Sequence, residues 1–217
     1  MPCGSAWRRD RHGGISIRAT FVLGVTGSYC SGKNTLVAFL KQSNFTEIDV
    51  DRVGHRILDD RGVKEQLRRS FGEDIFTPDG SIDRRLLGRR VFRDPRQLRT
   101  LESIVHPPMV GEVDRVLQGL AGRVVINAAV LFRMGLERLC DSVVCVRAPL
   151  IRRVKRARRR DGATLLQVLR RMRVQRGICP KFNANDVDIY YVDNDRGLDH
   201  LHTQILTILR EKGQENH

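Results

Sequence analysis

The stretch GSYCSGKNT at residues 27–35 restricts what this chain can fold into more than any other segment. It fits G-x-x-x-x-G-K, with Asn34 at the place usually held by Ser or Thr. An apolar run at residues 21–25 precedes it, and Leu36, Val37, Phe39 and Leu40 follow at helical spacing. The order is strand, glycine loop, helix. Gly27 and Gly32 let the backbone curl so that successive N–H groups turn inward, and the helix adds its positive end. A nucleoside triphosphate is the ligand such a loop takes. Lys33 is placed for the β- and γ-phosphates, and Cys30 and Ser31 lie within the wrap, Cys30 as a small filler rather than a reactive thiol. The residue after the lysine normally offers Mg²⁺ a hydroxyl. Asn34 offers an amide oxygen on a longer arm, so the metal shifts, is bridged by water, or relies on Thr35. Asn34 and Thr35 are therefore the candidate Mg²⁺ ligands of an ATP site.

Strands and helices alternate beyond the loop. Residues 46–50, 124–132, 142–146 and 189–193 have the length and composition of buried strands. Leu165, Leu166, Val168, Leu169 and Met172 mark one amphipathic helix, and Leu201, Ile205, Leu206, Ile208 and Leu209 another. The alternation predicts an α/β fold, a parallel sheet with helices on both faces. Residues 55–120, with a turn at Pro78-Asp79-Gly80, predict a mostly helical insertion. A chain of 217 residues that is 41% apolar accommodates one domain over residues 19–217 with such a lobe. Residues 1–18 show no apolar period and read as a flexible extension. No apolar run approaches the ~18 residues of a membrane span. Five cysteines without C-x-x-C spacing suggest neither a disulfide scaffold nor a zinc site, so a reducing cytoplasm is the expected location.

Two charged features complete the candidate site. Asp49-Val50-Asp51 closes the second strand, at the carboxyl edge where ligands bind in such sheets. Strand alternation would send both carboxylates to one side, where an acid could take a hydroxyl proton or hold Mg²⁺ through water. For Asp51 a helix N-cap before residues 53–58 is the alternative. Lys and Arg outnumber Asp and Glu by 39 to 25, a net +14, and seven of the positive charges fall in residues 152–160. Clustered cations suit nucleic acid. No aromatic interrupts this run, however, so a lid helix whose inner arginines meet ATP is the better reading, and no nucleic-acid partner is expected. Arg156 and Arg160 are one turn apart on one face, and each carries the planar fork that binds phosphate oxygens. Gly162 marks a helix break. His106, before Pro107-Pro108, reads from the residues alone as a turn histidine.

In order, Gly24-Val25-Thr26-Gly27 with Ser31-Gly32-Lys33, Ile48-Asp49-Val50-Asp51, the run DGSIDRRLL at residues 79–87, Val91-Phe92, Leu101-Glu102 and His106-Pro107 resemble the dephospho-CoA kinase family. Arg156, Arg160-Asp161, Gln175, Lys181 and Val192-Asp193-Asn194 with Gly197 continue the likeness. The resemblance implies a P-loop nucleotide-kinase core, a helical CoA-binding lobe and an Arg-rich lid over about residues 150–182. It implies transfer of the ATP γ-phosphoryl group to the ribose 3′-hydroxyl of dephospho-CoA. Lys33 would meet the β- and γ-phosphates, Asp51 would be the general base, Arg156 would clamp phosphates, and Asn194 would lie near the adenine. Asp49, Arg84 and His106 would fall on the dephospho-CoA side. Two residues depart from the pattern: Asn34 stands for Ser, and AVLFR at residues 129–133 stands for P-L-L-F-E, so that Arg133 replaces an acid. A slow or silent relative that binds nucleotide or RNA, or a kinase of another nucleoside or nucleotide, is the alternative. Oligomeric state is not legible.

Overall fold

β1 (Ala19–Gly27) runs through the middle of the sheet, and its residues show why: Leu23 and Val25 are wholly buried, as a parallel strand covered on both faces requires. The computed structural model describes residues 19–162, 164, 168, 178–179 and 187–213. With β2 (Phe45–Asp49), β3 (Gly122–Asn127), β4 (Ser142–Arg147) and β5 (Asp188–Asp193), β1 forms a five-stranded parallel sheet in the order β2-β3-β1-β4-β5. The described helices are α1 (Lys33–Gln42), α2 (Val50–Ile57), α3 (Arg61–Phe71), α4 (Arg84–Val91), α5 (Pro95–Gln118), α6 (Leu131–Met134), α7 (Leu150–Asp161) and α8 (Leu198–Glu211). The extension at residues 1–18 and the amphipathic segment at residues 165–172, Val168 apart, lie outside the described residues, as do Gln175 and Lys181.

The chain divides into two compact units, Asp49–Asp114 and the remainder. In the sheet unit, Leu36, Val37 and Leu40 of α1 and Leu201, Ile205, Ile208 and Leu209 of α8 are buried in one cluster with Phe21, Leu23 and Val25 of β1 and Val144 and Val146 of β4. Their spacing of three and four residues is what puts each apolar stripe on one helix face. In the Asp49–Asp114 unit, Val63, Leu67 and Phe71 line one face of α3 and pack with Ile75, Ile82, Leu87 and Val91. Asp60 caps α3 through Val63 N at 2.9 Å, and Asp83 caps α4 through Arg85 N and Leu86 N, both at 2.9 Å. This unit carries 13 Lys and Arg and 13 Asp and Glu, so none of the net charge resides in it. Residues 150–182 carry 12 Lys and Arg against one Asp.

Three sequence expectations need correction. The apolar run at residues 124–132 is not one strand: β3 stops at Asn127, Ala128 N turns back to Val25 O at 3.1 Å, and Leu131 is buried on the short helix α6. A buried apolar run has no periodicity to separate strand from helix. Asp51 does not share a strand face with Asp49, because β2 ends at Asp49 and α2 starts at Val50. The cap is Asp49, whose Oδ1 accepts from Asp51 N at 3.0 Å and Arg52 N at 3.2 Å. His106 is not at a turn, since α5 continues through Pro107 and Pro108. The four described cysteines, Cys30, Cys140, Cys145 and Cys179, are free thiols.

Leu36 has no exposed surface and joins α1 to the sheet beside the glycine loop. Leu36→Ala should lower unfolding stability by about 2–5 kcal/mol in urea titrations followed by circular dichroism.

Candidate active site

The register of β1 delivers the chain to the loop with Val25 opposite Asn127 on β3 and Gly27 opposite Val146 on β4. A Cβ on Gly27 would lie 2.6 Å from both Ser31 Oγ and Val146 O, so the loop can fold back on the strand end only without a side chain there. Cys30 and Gly32 have φ of 58° and 103°, left-handed turns that wind the loop into the start of α1. A Cβ on Gly32 would stand 1.9 Å from Asn194 Nδ2.

A loop that wraps phosphate with its N–H groups turns carbonyls the other way, and buried carbonyls require donors. These donors come from far along the chain. Arg153 Nε donates to Tyr29 O at 2.9 Å. Arg156 Nη1 donates to Ser31 O at 3.1 Å, and Asn194 Nδ2 reaches the same oxygen at 2.9 Å. Arg156 Nη2 in turn donates to Asn194 Oδ1 at 2.9 Å. Asn194 is 2% exposed and is fixed by its own backbone, whose N–H donates to Arg147 O at 2.8 Å. Gln204 of α8 pins the preceding residue, accepting from Asp193 N at 2.9 Å and donating to Asp193 O at 3.0 Å. Ser31 Oγ is buried and has no hydrogen-bond partner among the described residues.

The remaining expected residues of the sheet unit lie around this loop. Lys33 opens α1 and donates from Nζ to Asn127 Oδ1. Asn34 and Thr35 are exposed on the first turn of α1. Arg160 lies 5.2 Å over the Tyr29 ring and pairs with Asp161, whose carboxylate also accepts from Tyr29 Oη. The hydrogen bond to Asp161 raises the Arg160 pKa above its ordinary value. Arg133 is exposed on α6. In the Asp49–Asp114 unit, Asp51 is exposed in the first turn of α2, and Arg84 Nη2 donates to His55 O at 3.3 Å and faces Asp59 at 3.8 Å. His106 is half-buried on α5.

Sequence reading passed over Arg153, Asn127 and Glu47. Asn127 Nδ2 donates to Glu47 Oε1 at 2.8 Å, and Lys41 Nζ pairs with Glu47 Oε2 at 2.9 Å. The signal for Asn127 was present: a polar residue ends an otherwise apolar run. Reading that run to residue 132 concealed it.

A glycine loop between the central parallel strand and a helix that opens on lysine, in the order β2-β3-β1-β4-β5, defines a P-loop kinase-type fold. Residues 21–200 match the CoaE dephospho-CoA kinase profile, and the chain belongs to that family. A protein of Borrelia garinii subsp. bavariensis named dephospho-CoA kinase is 31% identical over 199 residues, covering 89% of this chain and 95% of its own length. One from Thermus thermophilus, with the same name, is 32% identical over 203 residues, 91% of this chain and 95% of its own. A crystal structure of a Thermus thermophilus protein superposes with a TM-score of 0.72 at 32% identity, covering 88% of this chain and 97% of that one.

Gly32→Ala should abolish ATP binding measured by calorimetry while the far-ultraviolet circular dichroism stays native, because the methyl group would stand 1.9 Å from Asn194 Nδ2, at a φ of 103° that disfavours any side chain, and the loop alone has to rearrange.

Proposed function

We propose that the chain transfers the γ-phosphoryl group of ATP to the ribose 3′-hydroxyl of dephospho-CoA, yielding CoA and ADP at the last step of CoA biosynthesis. The observation that carries this reading is the match of residues 21–200 to the dephospho-CoA kinase family, in a chain whose phosphate loop is braced from behind. Family membership favours this enzyme over a silent nucleotide- or RNA-binding relative. In the reaction, the 3′-oxygen bonds to the γ-phosphorus as the bond to the β–γ bridging oxygen breaks. ADP takes that electron pair, and the hydroxyl proton passes to a base.

Each role below belongs to the proposal. Lys33 meets the β- and γ-phosphates, where its charge offsets that developing on the bridging oxygen. Residues of the loop, Gly27 to Gly32, supply backbone donors, supported by the pairing of the carbonyls of Tyr29, Cys30 and Ser31 behind them. Asp51 accepts the hydroxyl proton; its exposure at the start of α2 and its place in Ile48-Asp49-Val50-Asp51 support this. The Asp49–Asp114 unit, with Asp49, Arg84 and His106, takes dephospho-CoA. Residues 150–182 act as the lid, in which Arg156 and Arg160 hold phosphate charge beside the loop. Asn194 borders the adenine side.

Asn34 and Thr35 fit a nucleotide-borne Mg²⁺, since both expose an oxygen donor at the start of α1 and this ion takes one or two protein ligands beside phosphates and water. When bound, Mg²⁺ neutralises phosphate charge. No helix among the described residues is long and apolar enough to cross a membrane, and the cytoplasm is the proposed location.

The purified protein with ATP, Mg²⁺ and dephospho-CoA should form CoA and ADP, and Lys33→Ala should not. Turnover of another nucleoside in place of dephospho-CoA would reassign the acceptor. Asp51→Asn should lower kcat by about 10²–10⁴-fold with ATP affinity retained, and near-normal turnover would remove Asp51 as the base. Asn34→Ser should lower the Mg²⁺ concentration needed for half-maximal rate, read from initial rates across a Mg²⁺ titration.

A further inference from the structure

Arg160 and Asp161 end α7 side by side, and successive side chains of a helix point about 100° apart rather than toward each other. They meet nonetheless: Arg160 Nε donates to Asp161 Oδ1 at 2.8 Å, and Arg160 Nη2 to Asp161 Oδ2 at 3.1 Å. Asp161 also stands in the last turn before Gly162, where a helix favours cations, so its charge does nothing for the helix itself. Tyr29 of the glycine loop draws both side chains the same way. Its hydroxyl donates to the Asp161 carboxylate, and the Arg160 guanidinium lies over its ring, 5.2 Å from the centroid. Tyr29 is in turn held to α7, since Arg153 Nε donates to its carbonyl at 2.9 Å and it packs against Ala157.

A guanidinium grips phosphate through two parallel bonds only when its fork is aimed, and a long side chain loses rotamer freedom in being aimed. The face of a ring restricts where the guanidinium can lie, and a carboxylate across its Nε–Nη2 edge sets how the fork is turned. Tyr29 supplies the first restraint directly and the second through Asp161. The adjoining Nη1–Nη2 edge is the one a phosphate would take. The Arg160 side chain is 58% exposed and that of Asp161 25%, so the pair is anchored on the carboxylate side and open to a ligand on the cation side. We propose that Tyr29 is a positioning residue for Arg160: from within the loop that wraps the phosphates, it aims the guanidinium that meets them. The inference rests on the kinase reading only in taking ATP as the anion that Arg160 meets.

The test is a mutant cycle of Tyr29→Phe, Arg160→Ala and the double variant. ATP affinity is measured by calorimetry without dephospho-CoA, and thermal unfolding is followed in parallel. Tyr29→Phe keeps the ring and removes the hydroxyl that holds Asp161. It should raise the ATP Kd by about three- to tenfold. In the Arg160→Ala background the same substitution should leave the Kd unchanged, because Tyr29 then has no fork to aim. Unchanged affinity in Tyr29→Phe overturns the proposal, whatever happens to the melting temperature. An equal loss in both backgrounds also overturns it, since Tyr29 would then act through the shape of the loop. So does a Kd that falls in Tyr29→Phe, because the cluster would then hold Arg160 away from ATP. If Arg160→Ala does not fold, Arg160→Gln carries the same cycle with the same outcomes. Wild-type protein that binds ATP with the expected cycle yet leaves dephospho-CoA untouched would overturn the kinase reading and leave the role of Tyr29 standing.

Discussion

The carbonyl oxygen of Ser31 is the point on which the nucleotide site depends. It accepts from Arg156 on α7 and from Asn194 at the end of β5, and these two side chains also bond to each other. Gly32 makes the approach possible, since any side chain there would occupy the place of the Asn194 amide. The sheet fixes Asn194 through Arg147 O and α8 fixes its neighbour through Gln204, so strand pairing, helix packing and loop shape converge on one oxygen. Tyr29 and Cys30 pack against Ala157 of α7, and the bracing of the loop carbonyls adds to the rigidity that this packing gives.

The same bracing accounts for part of the net charge. Arg153 and Arg156 turn toward the loop carbonyls, and Arg160 toward Tyr29 and Asp161. Arg152, Lys155, Arg158 and Arg159 are exposed on the same helix. With the Asp49–Asp114 unit balanced in charge, the excess is concentrated in residues 150–182, where a positive field raises the encounter rate of polyanions such as ATP.

The sequence disclosed the loop, the alternation of strands and helices and the family motifs because each is local: glycines at fixed offsets, apolar periods, short ordered runs. The α/β architecture follows from them, and the structure bears it out. What stayed hidden is non-local. Nothing near Ser31 announces that its carbonyl is met by a residue 163 positions later. Arg156 was legible as a cation near phosphate, yet its contact with loop carbonyls depends on how α7 packs. Asn127 was lost because a strand that ends in a buried apolar turn looks longer than it is. Asp49 was legible as an acid at a strand end, and its capping of α2 emerged only once the strand was seen to stop there.

The motif is complete at residue 35, but the cradle is not. Its bracing arrives with Arg156 and closes with Asn194, and Gln204 holds the residue before the latter from the last described helix. The residues that complete the motif and the residue that closes its bracing are thus 159 positions apart in a chain of 217. Bracing of the loop by Asn194 therefore goes together with the pairing of β5 along β4, since Asn194 follows that strand directly and its N–H bonds Arg147 O.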